Sequence, residues 1–298
     1  MKTLAPIVLF AFNRLEPLKH TIASLLSNKE AQNSSLYVFV DGAREHKHGE
    51  KEKVQAVQDF VKTIDGFGCV EYEFSQTNKG LASSIIDGVG KVLRKHTKVI
   101  VLEDDLVFSY NFLSYMNGAL DYYEDKPKLF SICGYTNKVT PPRNYGYSSY
   151  FCTRSSSWGW ATWSDRWNSV DWKLEDWDEC VKYRRQFNKW GGSDCFGMLE
   201  AVKQGKTSSW AIRFCYAQFL QDKLSLFPIK SLVKNDGFDG DGTNCKKWSR
   251  FKCEFDPNNS VECDFPDELK LNKRLCKSAL SYHTIFKRVV SKLMYMIT

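Results

Sequence analysis

The chain has 298 residues, 43% of them hydrophobic and 14% aromatic; this is the composition of a folded globular protein with one large domain, or a domain with a subdomain, and excludes a disordered chain. Its formal net charge of +7 is unevenly spread: seven of the 42 basic residues and none of the 35 acidic ones fall between Lys270 and Thr298. The rest of the chain is balanced, which disfavours nucleic acid as a partner. No apolar run approaches the roughly 18 residues of a membrane span. Asn13 and Arg14 interrupt the first apolar stretch with no small-residue cleavage site, so no signal peptide is expected and the protein is expected in the cytoplasm.

Pro6 to Phe12 reads as a first buried strand, and Leu15, Leu18, Ile22, Leu25 and Leu26 then recur at helical spacing. Asn13 and Arg14 stand at the carboxyl end of that strand. Leu36 to Val40 is a second strand, closed by Asp41; a helix with Val54, Val57, Phe60, Val61 and Ile64 on one face follows. Val70 to Phe74 alternates like a less buried strand, Asn78 to Gly80 breaks it, and Leu81, Ile85, Val89 and Val92 continue as a helix. Then comes Val99 to Leu102, apolar without alternation and so buried on both faces, running straight into Glu103, Asp104 and Asp105. Strand–helix alternation of this kind predicts an α/β fold with a mainly parallel sheet flanked by helices. Ligands of such sheets bind outside the carboxyl ends of the strands, where Asn13, Arg14, Asp41 and the acidic triplet all fall.

Three adjacent carboxylates repel one another unless a cation neutralises them. Oxygen ligands suit Mg²⁺ or Mn²⁺, hard ions that also grip a diphosphate. Neither a GxGxxG nor a GxxxxGK[ST] segment follows the first strand, so metal and side chains must hold any phosphate. The bland alternative is a solvated acidic turn.

The second half opens with a strand at Leu129 to Gly134. Seven of the nine tryptophans then lie between Trp158 and Trp190, a density that fits a packed core or a sugar-stacking wall. A helix around Met198 to Lys203 follows, and Ser208 is a candidate N-cap for a helix over Trp210 to Leu220. Leu224 to Pro228 reads as a short edge strand. Asn235 to Gly242 is a Gly/Asp loop without the terminal Glu of a calcium loop. Ten scattered cysteines with no CxxC pair read as buried free thiols. In the tail, Phe286, Val289, Val290, Leu293 and Ile297 share one helical face, with Lys287, Arg288 and Lys292 on others. Such a helix fits an anionic membrane surface or docking on the domain.

Seven ordered segments together resemble the GT-A class of nucleotide-sugar glycosyltransferases, of the bacterial polysaccharide type distantly similar to animal N-acetylglucosaminyltransferase I. They are Phe10 to Arg14, Val40 to Arg44, Asn78 to Leu81, Leu102 to Asp105, Ser157 to Trp163, Ser209 to Arg213 and Asn235 to Thr243. The resemblance implies a GT-A, Rossmann-like fold with a donor half over residues 1–127, an acceptor half over 128–250 and a basic extension over 251–298. It implies that Asp105 ligates Mn²⁺ or Mg²⁺, that Glu103 and Asp104 face ribose and sugar hydroxyls, and that Asn13, Arg14, Asp41 and Lys79 contact the donor, a UDP-sugar. Trp158 and Trp160 would border the cleft for a glycan or lipid-linked acceptor. The pathway implied is surface polysaccharide synthesis, capsule or lipopolysaccharide, with the basic tail as a peripheral membrane contact.

An inverting reaction needs a carboxylate to take the acceptor's proton. Here the chain departs from the family, with Ala211 and Ser208 where relatives carry an Asp. Asp194, Glu200 and Asp239 are the candidates from neighbouring segments, Glu200 and Asp239 favoured. A retaining mechanism, a nucleotidyltransferase on a similar fold, and a carbohydrate-binding homologue without catalysis stay open alternatives.

Overall fold

The computed structural model describes residues 3–237, 251, 253–259 and 263–297. Strands β1 (Ile7–Ala11), β2 (Ser35–Val40), β3 (Cys69–Phe74) and β4 (Lys98–Glu103) are mutually parallel, with helices α1 (Leu15–Leu26), α2 (Glu50–Val61) and α3 (Leu81–Leu93) in the crossovers. After β4 the chain folds back into β5 (Leu106–Phe108), then α4 (Phe112–Tyr122), β6 (Leu129–Cys133), β7 (Ser149–Cys152) and β8 (Trp160–Trp163). Five helices follow, α5 (Ser164–Asn168), α6 (Trp177–Lys182), α7 (Arg184–Gly191), α8 (Cys195–Lys203) and α9 (Trp210–Leu220), then β9 (Leu224–Pro228), β10 (Val233–Asn235), α10 (Lys273–Leu280) and α11 (Ile285–Ile297). The eight-stranded sheet runs β3-β2-β1-β4-β8-β6-β9-β7, and β5 pairs with β10 in a separate ribbon. The expected α/β sheet flanked by helices is therefore present. Its second half is mixed, because β8 runs antiparallel to both β4 and β6, and β7 antiparallel to β9.

The unbroken apolar run of β1 follows from cover on both faces. Ile7 and Leu9 join Leu36, Val38, Ile100 and Leu102 under α1 and α2, while Val8 and Phe10 join Val99 and Val101 under α3. Gly88 lets α3 lie close: a Cβ there would sit 2.7 Å from the Phe10 ring.

Three expectations are corrected. Trp160 is a core residue and not an acceptor wall: it is 1% exposed on β8, its ring stacked 4.8 Å from Trp210 and 5.7 Å from Trp167. Removing so large a buried ring leaves a cavity, so Trp160→Ala should cost about 3–5 kcal/mol in urea unfolding. β9 is interior, between β6 and β7; its Pro228 is tolerated because it ends the ladder. The cap of α9 is Ser209, whose Oγ accepts from Ile212 N, and not Ser208. The nine described cysteines are free thiols.

Candidate active site

At the carboxyl ends of β1, β2 and β4 lies a cleft of about 640 Å³. Its floor is the acidic triplet, its walls Phe12, Asn13, Arg14 and Arg44 on one side and Trp158, Met198 and Ser208 to Ala211 on the other. The end of β4 places the triplet: Phe12 N donates to Asp104 Oδ2 at 3.0 Å, and Arg14 Nη1 lies 3.5 Å from Asp105 Oδ2. The β5–β10 ribbon closes over it. Asp236 N donates to the Asp105 carbonyl at 2.8 Å, and Gly237 lies so near that a Cβ would come within 2.2 Å of Asp105 Oδ2. A side chain at 237 would force the Asp105 carboxylate to shift.

Burial and the neighbouring Asp105 push Asp104 up to about 7, against the opposing pull of the Phe12 amide and Arg14. Burial, then Asp105 and Asp104, likewise raise Glu103 well above the usual carboxylate range. Crowded carboxylates facing one cleft are the donor set a hard divalent cation relieves. Among the described residues no three His, Cys, Asp or Glu side chains form a ready-made metal cage.

Asp41 lines the cleft, but its carboxylate is already spent. Oδ1 accepts from Gly42 N (2.9 Å) and Lys79 N (2.8 Å), and Oδ2 from Gly80 N (2.8 Å) and Asn78 Nδ2 (3.2 Å). Those four bonds fill its acceptor positions, so Asp41 fastens the loop before α3 at the edge of the cleft. The Lys79 amide is held by Asp41, and its exposed side chain lines a small pocket with Glu73 and Asp87 that shares Asp41 and Ser84 with the cleft.

Asn13 faces the cleft with its amide donating to Glu50 Oε1 at 3.1 Å. Glu50, buried at the start of α2, also takes the forked guanidinium of Arg44, and Arg44 lies over the Phe12 ring at 5.5 Å. The sequence reading missed this network; the signal available was a carboxylate six residues after the Arg44 of a recognised segment. Arg44 holds Glu50 down to about 2. A depressed carboxylate stabilises the fold above its unfolded pKa and loses that contribution as pH falls through its folded one. The stability gap between wild type and Glu50→Gln should therefore be about 2 kcal/mol near neutrality, discounted for the exposure of Arg44, and close between about pH 4.5 and 2 in urea titrations.

Of the candidate bases, Glu200 does not line the cleft. Met198 of the same helix does, and two positions on a helix point about 200° apart. Asp194 is 7% exposed and ion-paired with Arg154 at 2.8 Å; Arg154 and His283 hold it far below the usual carboxylate range, which makes it a poor proton acceptor. Asp239 lies outside the described residues. Trp158 does reach the cleft, its ring edge-on to Tyr135 at 4.5 Å, and it also lines an adjoining pocket of about 340 Å³ with Tyr135, Tyr150 and Arg154.

No family model matches the chain, and no curated protein matches it. Solved structures with a similar arrangement include the mannosyltransferase PcManGT from Pyrobaculum calidifontis in complex with GDP-Man and Mn²⁺, at 11% identity and a TM-score of 0.35, over 53% of this chain and 44% of that one. S. aureus TarS 1-349 matches at 10% identity and a TM-score of 0.41, over 78% of this chain and 61% of that one. A longer TarS structure matches at 10% identity and a TM-score of 0.42, over 77% of this chain and 36% of that one. The matched region thus spans less than two thirds of each of those chains.

Proposed function

We propose that the protein is a metal-dependent glycosyltransferase that moves a sugar from a UDP-sugar to a glycan or lipid-linked acceptor in surface polysaccharide synthesis. The observation that carries this is the acidic triplet at the end of the inner strand β4, facing a cleft of about 640 Å³ beside Arg14. The seven ordered segments that resemble nucleotide-sugar enzymes support it.

Asp105 would hold Mn²⁺ or Mg²⁺, whose charge, when the ion is bound, stabilises a departing diphosphate. Arg14, 3.5 Å from Asp105, adds a fixed cation for the same phosphates. Glu103 and Asp104 line the same cleft and would face ribose and sugar hydroxyls. Trp158 offers an apolar wall to the acceptor. Inversion assigns the proton-accepting role to Asp239, the remaining candidate. On this reading residues 1–127 bind the donor, 128–250 the acceptor, and 251–298 contact the cytoplasmic face of a membrane.

The test is donor hydrolysis with a panel of UDP-sugars, with and without Mn²⁺. Metal-dependent release of UDP is the expected result. No donor binding at all, or release of pyrophosphate from a nucleoside triphosphate instead, would sink the reading.

A further inference from the structure

Two buried thiols outside the cleft meet where α10 packs on the sheet. Cys152, the last residue of β7, is 2% exposed, and Cys276 of α10 is 7% exposed; their Sγ atoms lie 3.5 Å apart. A disulfide needs about 2.05 Å, and side-chain rotation with a small shift of one element closes a gap of this size. α10 is the element able to make that shift. It has eight residues, too few to be stable alone, and it buries only Leu275, Cys276 and Ala279, against Cys133, Tyr150, Cys152 and Phe227. Lys273, Arg274 and Lys277 face water.

The chemistry of the two sulfurs is unequal. The hydrogen bond between them, with help from Thr153, holds the Cys276 thiol below its usual range, and the same bond together with burial lifts Cys152 well above it. Cys276 is therefore the sulfur that gives up its proton first. Among the described residues no group of three His, Cys, Asp or Glu side chains that could hold a metal includes the pair. Cys152 lines the pocket of about 340 Å³ beside the cleft, and Ala279 and Leu280 of α10 form part of the same wall. A small oxidant in that pocket has a way to the two thiols.

We propose that Cys152 and Cys276 form a redox latch: a peroxide converts them to a disulfide that ties α10 to the end of β7 and fixes the wall of the pocket beside the cleft. The Cys276 thiolate attacks one peroxide oxygen and the O–O bond breaks. The hydroxide released takes up the proton that Cys276 gave up and leaves as water, and Cys276 becomes a sulfenic acid. The Cys152 sulfur then displaces the sulfenic oxygen, which leaves with the Cys152 proton as a second water. The two thiols lose two electrons and the peroxide gains them; a thiol reductant reverses the link. Because the two cysteines are 124 positions apart, the bond would restrict the unfolded chain strongly. None of this depends on the reaction proposed for the cleft.

The test oxidises the full, reduced chain with a small excess of hydrogen peroxide, blocks the remaining thiols by alkylation and maps the peptides by mass spectrometry without reduction. The peptide holding Cys152 should appear joined to the one holding Cys276, the chain should run as a monomer on a non-reducing gel, and dithiothreitol should undo the link. Oxidised wild type should melt about 5 °C or more above the reduced protein, with the α10 amides exchanging about 10-fold more slowly. Cys276→Ala should melt near reduced wild type and show neither change on oxidation. If that variant does not fold, the peptide map of wild type decides. Two cysteines that stay unlinked, Cys276 carried on to a sulfinic acid, or a link from Cys152 to Cys133, to Cys215 or to a second chain overturns the proposal. A Cys152–Cys276 link that leaves melting temperature and α10 exchange unchanged overturns the latch.

Discussion

Asp105→Asn is expected to lower metal-dependent turnover by about 10³-fold while making the metal-free protein about 1 kcal/mol more stable. The two effects have opposite signs for one reason. Asp105 is the carboxylate that Arg14 approaches and that Gly237 leaves room for, and it helps raise both Glu103 and Asp104. Removing its charge relieves that repulsion, and the loss of the 3.5 Å contact with Arg14 offsets only part of the gain. On the proposed function, the same change also removes the carboxylate assigned to the cation. Thermal unfolding in EDTA and UDP release with Mn²⁺ measure the two sides. Turnover near wild type would mean that the triplet does not serve a metal, and a lower melting temperature would mean that the carboxylates are not in conflict.

Asp41→Ala should act through the loop it holds. It leaves Lys79 N, Gly80 N and Gly42 N without their acceptor, and frees the Asn78 amide from one of its two contacts, the other being the Gly42 carbonyl at 2.8 Å. Because this loop is partly open to water, the expected cost is about 2 kcal/mol and not the full penalty of buried unpaired donors. The more specific readout is amide exchange: Lys79 and Gly80 should exchange much faster, while the amides of β4 keep their protection. Asp41→Asn should recover little, because its NH₂ group faces backbone N–H donors. If the loop amides stay protected in Asp41→Ala, Asp41 is free to serve a ligand instead.

The strands of the first half were legible because each is covered on both sides, and β-branched runs ending in turn or acidic residues leave few alternatives. The acidic triplet was legible for a related reason: three adjacent charges after a buried strand can only lie where the backbone meets solvent. By contrast, β7 and β8 were not seen. They are four residues each, too short for a period, and the tryptophans of β8 fit a wall as well as a core. Trp158 and Trp160 are two positions apart, yet one ends outside the sheet at the cleft and the other inside it. β8 begins at Trp160, and sequence alone did not mark that boundary.

What the sequence by itself determined is the layered α/β order and the place where charge collects, since burial period and like-charge repulsion act between near neighbours in the chain. Only the tertiary structure decided what the polar groups outside the triplet are bonded to or packed against. Asp41 is turned to a loop 38 residues away, Asp194 to Arg154, and the polar side of α11 to the body of the protein. Each of those choices depends on a partner distant in sequence, and a hydrogen bond or ion pair across such a gap leaves no local pattern to read.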